Sequence, residues 1–177
     1  FTNLTPKKVK RIINHLKIGK DLSEIADNPN SKIQYTPAEE KTIFFRNYTT
    51  GTVLKKLNKN SPEVILDTLF ETKLKGHGGA FFSTGLKWKY CKESTSEKKY
   101  IICNADEGEP GTFKDRKLLV EVPRKVISGM AICAYATGAN KGFIYLRREY
   151  RYLIPELNKE LALYKSHAER LGLDFKI

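Results

Sequence analysis

Tyr100-Ile101-Ile102-Cys103-Asn104-Ala105-Asp106-Glu107-Gly108-Glu109-Pro110-Gly111-Thr112 runs from a short apolar stretch into three carboxylates within four residues. The apolar, β-branched start predicts a buried strand, and the acidic turn lies at its carboxyl end. Downstream, Pro123 opens a helix whose apolar face carries Val126, Ile127, Met130, Ala131 and Ala134, and Gly138 closes it. Gly142-Phe143-Ile144-Tyr145-Leu146 reads as the next strand. A long helix follows, with Leu157, Leu161 and Tyr164 on one face and Gly172 as its cap, and Leu173 to Ile177 begins a third strand. Strand, helix, strand, helix, strand predicts an α/β class with a β-α-β-α-β parallel sheet and right-handed crossovers. Ligands of such sheets sit beyond the carboxyl ends of the strands, which is where the acidic turn falls.

Upstream the pattern is helical. Thr5-Pro6 followed by Val9, Ile12, Ile13 and Leu16 predicts a capped amphipathic helix. Asn28-Pro29-Asn30-Ser31 reads as a loop, and Thr42 to Arg46 as a short extended piece. Ser61-Pro62-Glu63 starts another helix, with Val64, Ile65, Leu69 and Phe70 as its apolar face and a stop near Gly76. The expected organisation is a helical N-terminal preface over residues 1–75, then an α/β domain over residues 76–177. Lys92 to Lys99 reads as a charged surface loop.

The 177 residues allow one domain, or one domain with a preface. A hydrophobic content of 40% and a mean hydropathy of -0.47 suit a water-exposed fold. No apolar run reaches the roughly 18 residues of a membrane helix, so direct membrane insertion is not expected, and no signal peptide is apparent. The start at Phe1 rather than Met suggests a segment of something longer. Net charge is +12, and lysine outnumbers arginine 24 to 8. The lysines are interleaved with acids along the whole length, so the charge suits an anionic cofactor or an acidic partner subunit better than nucleic acid. Cys91, Cys103 and Cys133 are odd in number and widely spaced, which argues against a disulfide framework and for a reducing compartment, the cytoplasm or an equivalent such as the mitochondrial matrix. With His15, His77 and His167 isolated, no metal site is expected.

The second chemical segment is Gly76-His77-Gly78-Gly79-Ala80-Phe81-Phe82-Ser83-Thr84-Gly85-Leu86-Lys87-Trp88. Glycine lets backbone N–H groups approach phosphate oxygens and permits a concave turn. The spacing is neither a dinucleotide-fold fingerprint, which needs a preceding strand, nor a Walker A loop. A plain glycine-rich turn, a solvated Lys87 and a surface acidic turn would each explain the residues without function. Three crowded carboxylates repel one another, however, and also make a set of acceptors for ribose hydroxyls, ring N–H groups or a carboxamide.

Gly76 to Trp88 is similar to the pattern G-R-G-G-A-G-F-P-T-G-L-K-W, and Cys103 to Arg116 to C-N-A-D-E-G-E-P-G-T-F-K-D-R. Tyr145-Leu146-Arg147-Arg148-Glu149-Tyr150 resembles Y-x-R-G-E-Y. These patterns belong to the NADH-binding FMN flavoprotein subunits of respiratory complex I and the diaphorase subunits of NAD-reducing hydrogenases. Phe1-Thr2-Asn3-Leu4-Thr5 and Phe44-Phe45-Arg46-Asn47-Tyr48 look more like the hydrogenase branch. The resemblance implies the first half of an FMN-binding domain, in which FMN takes a hydride from NADH and passes electrons singly to iron–sulfur centres in sequence beyond this chain. By position, Gly76, Gly78, Lys87, Asn104, Asp106 and Glu107 would hold FMN, with Lys87 placing positive charge beside the flavin. Gly79, Ala80, Phe82, Tyr90 and Glu109 would hold NADH, with Glu109 near the nicotinamide end as the catalytic-site carboxylate. The implied work of the protein is to hold nicotinamide on flavin at about 3.5 Å with the reacting atoms aligned. The implied partners are NADH and the other subunits of a hydrogenase or complex I-type assembly.

Four positions depart from the family patterns. His77 replaces an arginine, Phe81 a glycine, Ser83 a proline and Arg148 a glycine. A phenylalanine where the family has glycine is expected to strain the turn or fill nicotinamide space. Two functional readings follow. One is the NADH- and FMN-binding part of an NADH dehydrogenase or diaphorase-type oxidoreductase, with this segment alone inactive. The other is a degenerate or split subunit that keeps the fold as a non-catalytic interaction module. A third, a basic nucleic-acid-binding domain, predicts affinity falling steeply with salt and has no motif behind it.

Overall fold

The computed structural model describes residue 1, residues 4–26, residue 45 and residues 49–177. The expected loop at Asn28–Ser31 and, Phe45 apart, the expected extended piece at Thr42–Arg46 lie outside the described residues. The chain forms two units, Phe1–Thr36 and Pro37–Ile177.

In the first unit, helix α1 (Pro6–Lys17) starts as the sequence suggests. Thr5 caps it, its side chain accepting from the Lys8 N–H at 3.2 Å, and proline occupies the first turn. None of its residues is buried, and Val9, Ile13 and Leu16 are exposed. A 3-10 turn at Leu22–Ile25 follows, capped by Asp21.

The second unit begins with α2 (Thr50–Leu57), α3 (Pro62–Glu71) and α4 (Thr84–Glu93). Ser61 and Ser83 cap α3 and α4 by accepting from the N–H groups of Val64 and Leu86. Ser83, where the family pattern has proline, thus does a capping job that proline could not. Strand β1 (Tyr100–Ala105) leads through the acidic turn to α5 (Lys114–Glu121) and α6 (Pro123–Thr137). Strand β2 (Lys141–Leu146) follows, then a 3-10 segment (Arg148–Leu153) and α7 (Ile154–Arg170).

The two strands run parallel in six-residue register, from Tyr100 opposite Lys141 to Ala105 opposite Leu146. The third strand expected at Leu173–Ile177 is present as one parallel bridge, Lys176 to Lys141, with Gly142 N donating to the Lys176 carbonyl at 2.7 Å. Gly138 closes α6 in the left-handed region, at φ 76, as its place in the sequence requires. The fold is therefore α/β with a small parallel sheet.

The main core lies where α6 meets α2, α7 and one face of the sheet. Leu54, Leu57, Ile127, Met130, Ala131, Ala134, Tyr164 and Phe175 fill it. Gly142 is glycine because a Cβ there would stand 2.6 Å from the Phe175 ring. A second cluster, Ala105, Leu119, Tyr150, Leu153 and Leu157, anchors the carboxyl end of β1. The other face of the sheet is open: Tyr100, Ile102, Phe143 and Tyr145 point outward, with Ile102 66% exposed. The apolar run at Tyr100–Cys103 is thus buried on one face rather than two, because Ile101 and Cys103 face the core and their neighbours do not. Among the described residues no helix is long and apolar enough to cross a membrane, and all three cysteines are free thiols.

Candidate functional site

The acidic turn is held by its own residues. Asn104 accepts from the Asp106 N–H at 3.1 Å through its side-chain oxygen, which turns the chain out of β1. Glu107 points inward and is 3% exposed. Its carboxylate accepts from the N–H groups of Asp115 (2.9 Å) and Arg116 (3.2 Å) and from the Tyr150 hydroxyl (2.9 Å). Those N–H groups belong to the first turn of α5, whose own cap residue, Phe113, makes no side-chain cap bond. Glu107 therefore caps α5 from outside the helix. Arg147 donates to the Glu107 carbonyl and pairs with Glu149 at 2.9 Å. The motif at Tyr145–Tyr150 thus clamps the turn from beneath, through Arg147 and Tyr150.

The clamp is electrostatically consistent. Burial pushes the Glu107 carboxyl up, but the Asp115 and Arg116 N–H groups and the Tyr150 hydroxyl outweigh it and hold the group below the ordinary carboxylate value. Burial, then the hydrogen bond to Glu107 and its charge, push the Tyr150 phenol up to about 12.

The glycine loop is a hairpin tip. Lys75 and Ser83 form an antiparallel bridge, and Gly76 N donates to the Phe82 carbonyl at 2.9 Å. Gly79 takes φ 104 and Phe81 takes φ 49. Phe81 thus sits in the left-handed region that glycine enters freely, at roughly 1–2 kcal/mol for an L residue. The His77 and Phe81 rings meet edge-on, with centroids 6.3 Å apart.

The loop, the end of β1 and the start of α5 meet at a cavity of about 620 Å³, within the size range of small-ligand sites. His77 and Gly78 come from the loop, Asn104 from the end of β1, and Phe113, Lys114 and Lys117 from the start of α5, with Phe45 also on the wall. Two residues expected for FMN, Gly78 and Asn104, therefore share one cavity. A Cβ at Gly78 would meet nothing within 4 Å, so packing does not demand glycine there, and bare backbone faces open space. Asp115 lines the wall beside the two lysines: its carboxylate lies 2.8 Å from Lys114 and raises the Lys114 pKa above its ordinary value, and Lys117 pairs with Glu121 at 3.7 Å. Bare backbone, an amide and cations fit a phosphorylated ligand.

The remaining expected residues do not line this cavity. Gly76 sits at the neck of the loop, and Gly79, Ala80 and Phe82 are exposed near its tip. Asp106 and Glu109 are exposed on the turn. Lys87 and Tyr90 lie exposed on α4; the charge of Lys87 acts on Cys133 of α6, whose thiol burial pushes up to about 12. Arg147, Tyr150, Lys114 and Phe45 shape the site without having been marked by composition or spacing. The first three sit in the segments resembling the family, which was the available signal; Phe45 carried none beyond the N-terminal likeness.

Comparison with known proteins gives the same family. The family model described as the Nuo51 FMN-binding domain matches residues 69–176, more than half the chain. The alpha subunit of the NAD-reducing hydrogenase HoxS of Cupriavidus necator is 44% identical across 100% of this chain and 32% of its own length. An NADH-quinone oxidoreductase subunit of Escherichia coli is 44% identical over 70% of this chain and 29% of its own. A crystal structure of an NAD+-reducing [NiFe]-hydrogenase in the H2-reduced state superposes with a TM-score of 0.73 at 32% identity, over 94% of this chain and 29% of that one. The chain thus spans about a third of the length of these relatives, and the hydrogenase relative extends over the N-terminal region as well. The chain belongs to the complex I 51K family, which it joins through the Nuo51 FMN-binding domain.

Proposed function

We propose that the chain is the first part of the FMN- and NADH-binding domain of an NADH-oxidising flavoprotein, working within a hydrogenase or complex I-type assembly. When bound, FMN supplies two-electron acceptance from NADH and one-electron release toward iron–sulfur centres. Residues 76–177 are the proposed flavin-binding part; the rest of the site and the cluster ligands belong to sequence outside this chain. The reading is carried by the cavity that brings Gly78, Asn104 and cationic α5 residues together.

In this reading the Gly76–Gly79 backbone cradles phosphate, and Lys87 adds positive charge on the flavin side. Asn104 and Asp106 orient the flavin as hydrogen-bonding groups, and Glu107 acts through the turn it anchors. Gly79, Ala80, Phe82 and Tyr90 receive NADH, and Glu109 orients its nicotinamide end. These residues bind and align the partners, so hydride transfer needs no side chain to move a proton. A second reading, a non-catalytic interaction module, has one observation in its favour: Phe81, where the family pattern has glycine, stands in the left-handed region and presents a ring there.

The test is the flavin content and NADH–ferricyanide reductase activity of the full-length protein purified with its subunits. Stoichiometric FMN with activity, and loss of both in Asn104→Ala, is the expected result. A folded assembly without flavin would leave the interaction module as the function.

A further inference from the structure

Phe81 is held where the fold gains nothing from it. Its φ of 49 lies in the left-handed region, and its side chain is 62% exposed, so burial returns little for the strain. Gly79 takes its own positive φ freely two residues earlier, and a glycine at 81 would do the same. A bulky residue kept in such a conformation without packing points to a functional constraint. The surroundings indicate which one. The Phe81 ring meets His77 at an interplanar angle of 73°, and His77 lines the cavity. Phe82 beside it is also half exposed, and Phe113 stands on the cavity wall with its ring in solvent. Phe113 on the wall and Phe81, which reaches the cavity through its edge contact with His77, thus present aromatic faces with no ring stacked on them among the described residues.

We propose that Phe81 is a specificity-determining contact residue, whose ring stacks on a planar base of a dinucleotide entering the cavity. The inference rests on the nucleotide-binding reading above. A mononucleotide held at Gly78 and Asn104 fits within the cavity, whereas a ligand that also reaches the exposed Phe81 must extend past the rim, as a dinucleotide does. Stacking asks only for a π-face and a fixed ring. The edge contact with His77 and the fixed backbone provide both.

Equilibrium titration of the full-length protein with NAD+ and, separately, with FMN tests this in Phe81→Gly and Phe81→Trp, alongside melting temperatures. Phe81→Gly should raise the melting temperature by a few degrees, as strain is released. The same variant should weaken NAD+ binding roughly 3- to 10-fold and leave FMN affinity within about twofold, while Phe81→Trp keeps NAD+ affinity. Unchanged or tighter NAD+ binding in Phe81→Gly overturns the inference, since the ring is then idle or an obstruction. An equal loss of FMN affinity also overturns it, because the ring then shapes the loop instead of touching the dinucleotide. A wild-type protein that binds neither ligand removes the nucleotide-binding reading itself, and the inference with it.

Discussion

Glu107 and Tyr150 show how one residue's role depends on partners far along the chain. The sequence displays Asp106, Glu107 and Glu109 as equivalent acceptors, but only the fold reveals that Glu107 is occupied within the protein. Its partners lie 8, 9 and 43 residues away, beyond the reach of any local pattern. Asp106 and Glu109 stay exposed and available to a ligand. Removing the hydroxyl in Tyr150→Phe leaves a buried carboxylate short of one bond and should lower stability by about 1.5–3 kcal/mol, measured by urea unfolding at neutral pH. The clamp also sets a pH dependence. Glu107 is held below its ordinary value of 4.5, so its contribution is present above that pH and is lost as the pH falls through the folded-state value. Tyr150 is raised from 10 to about 12, so its contribution is full below pH 10 and is lost as the pH climbs toward 12. Unfolding midpoints followed across both limits should be flatter in Tyr150→Phe at the alkaline end.

Elements with strong punctuation were legible in the sequence, and those without it were not. Pro123 and Gly138 bracket α6 to the residue, and Ser61-Pro62 marks α3. Helices α2, α4 and α5 carried weaker signals for three different reasons. The eight residues of α2 hold only three buried positions. Thr84-Gly85 at the start of α4 reads as a turn until Ser83 is seen capping it. The first turn of α5 is Lys-Asp-Arg, with its cap supplied by Glu107 from another segment. The third strand was visible as a pattern but has only one bridge to β2, since a strand's extent depends on neighbours as well as on its own residues. At β2 the tight point is Gly142, where an added Cβ would meet the Phe175 ring at 2.6 Å and the Met130 methyl at 3.2 Å. Gly142→Ala should therefore destabilise by about 1–3 kcal/mol through overpacking, seen as a lower denaturant midpoint with an unchanged slope. Gly78→Ala, with open space around its Cβ, should leave the midpoint nearly unchanged and act on ligand binding alone.

Across the whole molecule, the parallel sheet sets the site: β1 delivers Asn104 and the acidic turn at its carboxyl end, and the glycine loop meets that end across a single cavity. The sheet-end location was legible from the strand–helix alternation, and the charged wall that Lys114, Asp115 and Lys117 give the cavity was not, because α5 itself was not. The outer sheet face stays apolar and open, which suits a chain that spans about a third of its relatives' length. The central claim is that this cavity holds the flavin, and titration of the protein with FMN by fluorescence quenching addresses it directly. Saturable quenching at micromolar FMN, weakened about tenfold or more by Asn104→Ala, is the predicted result. No quenching by a protein that still unfolds cooperatively would contradict it.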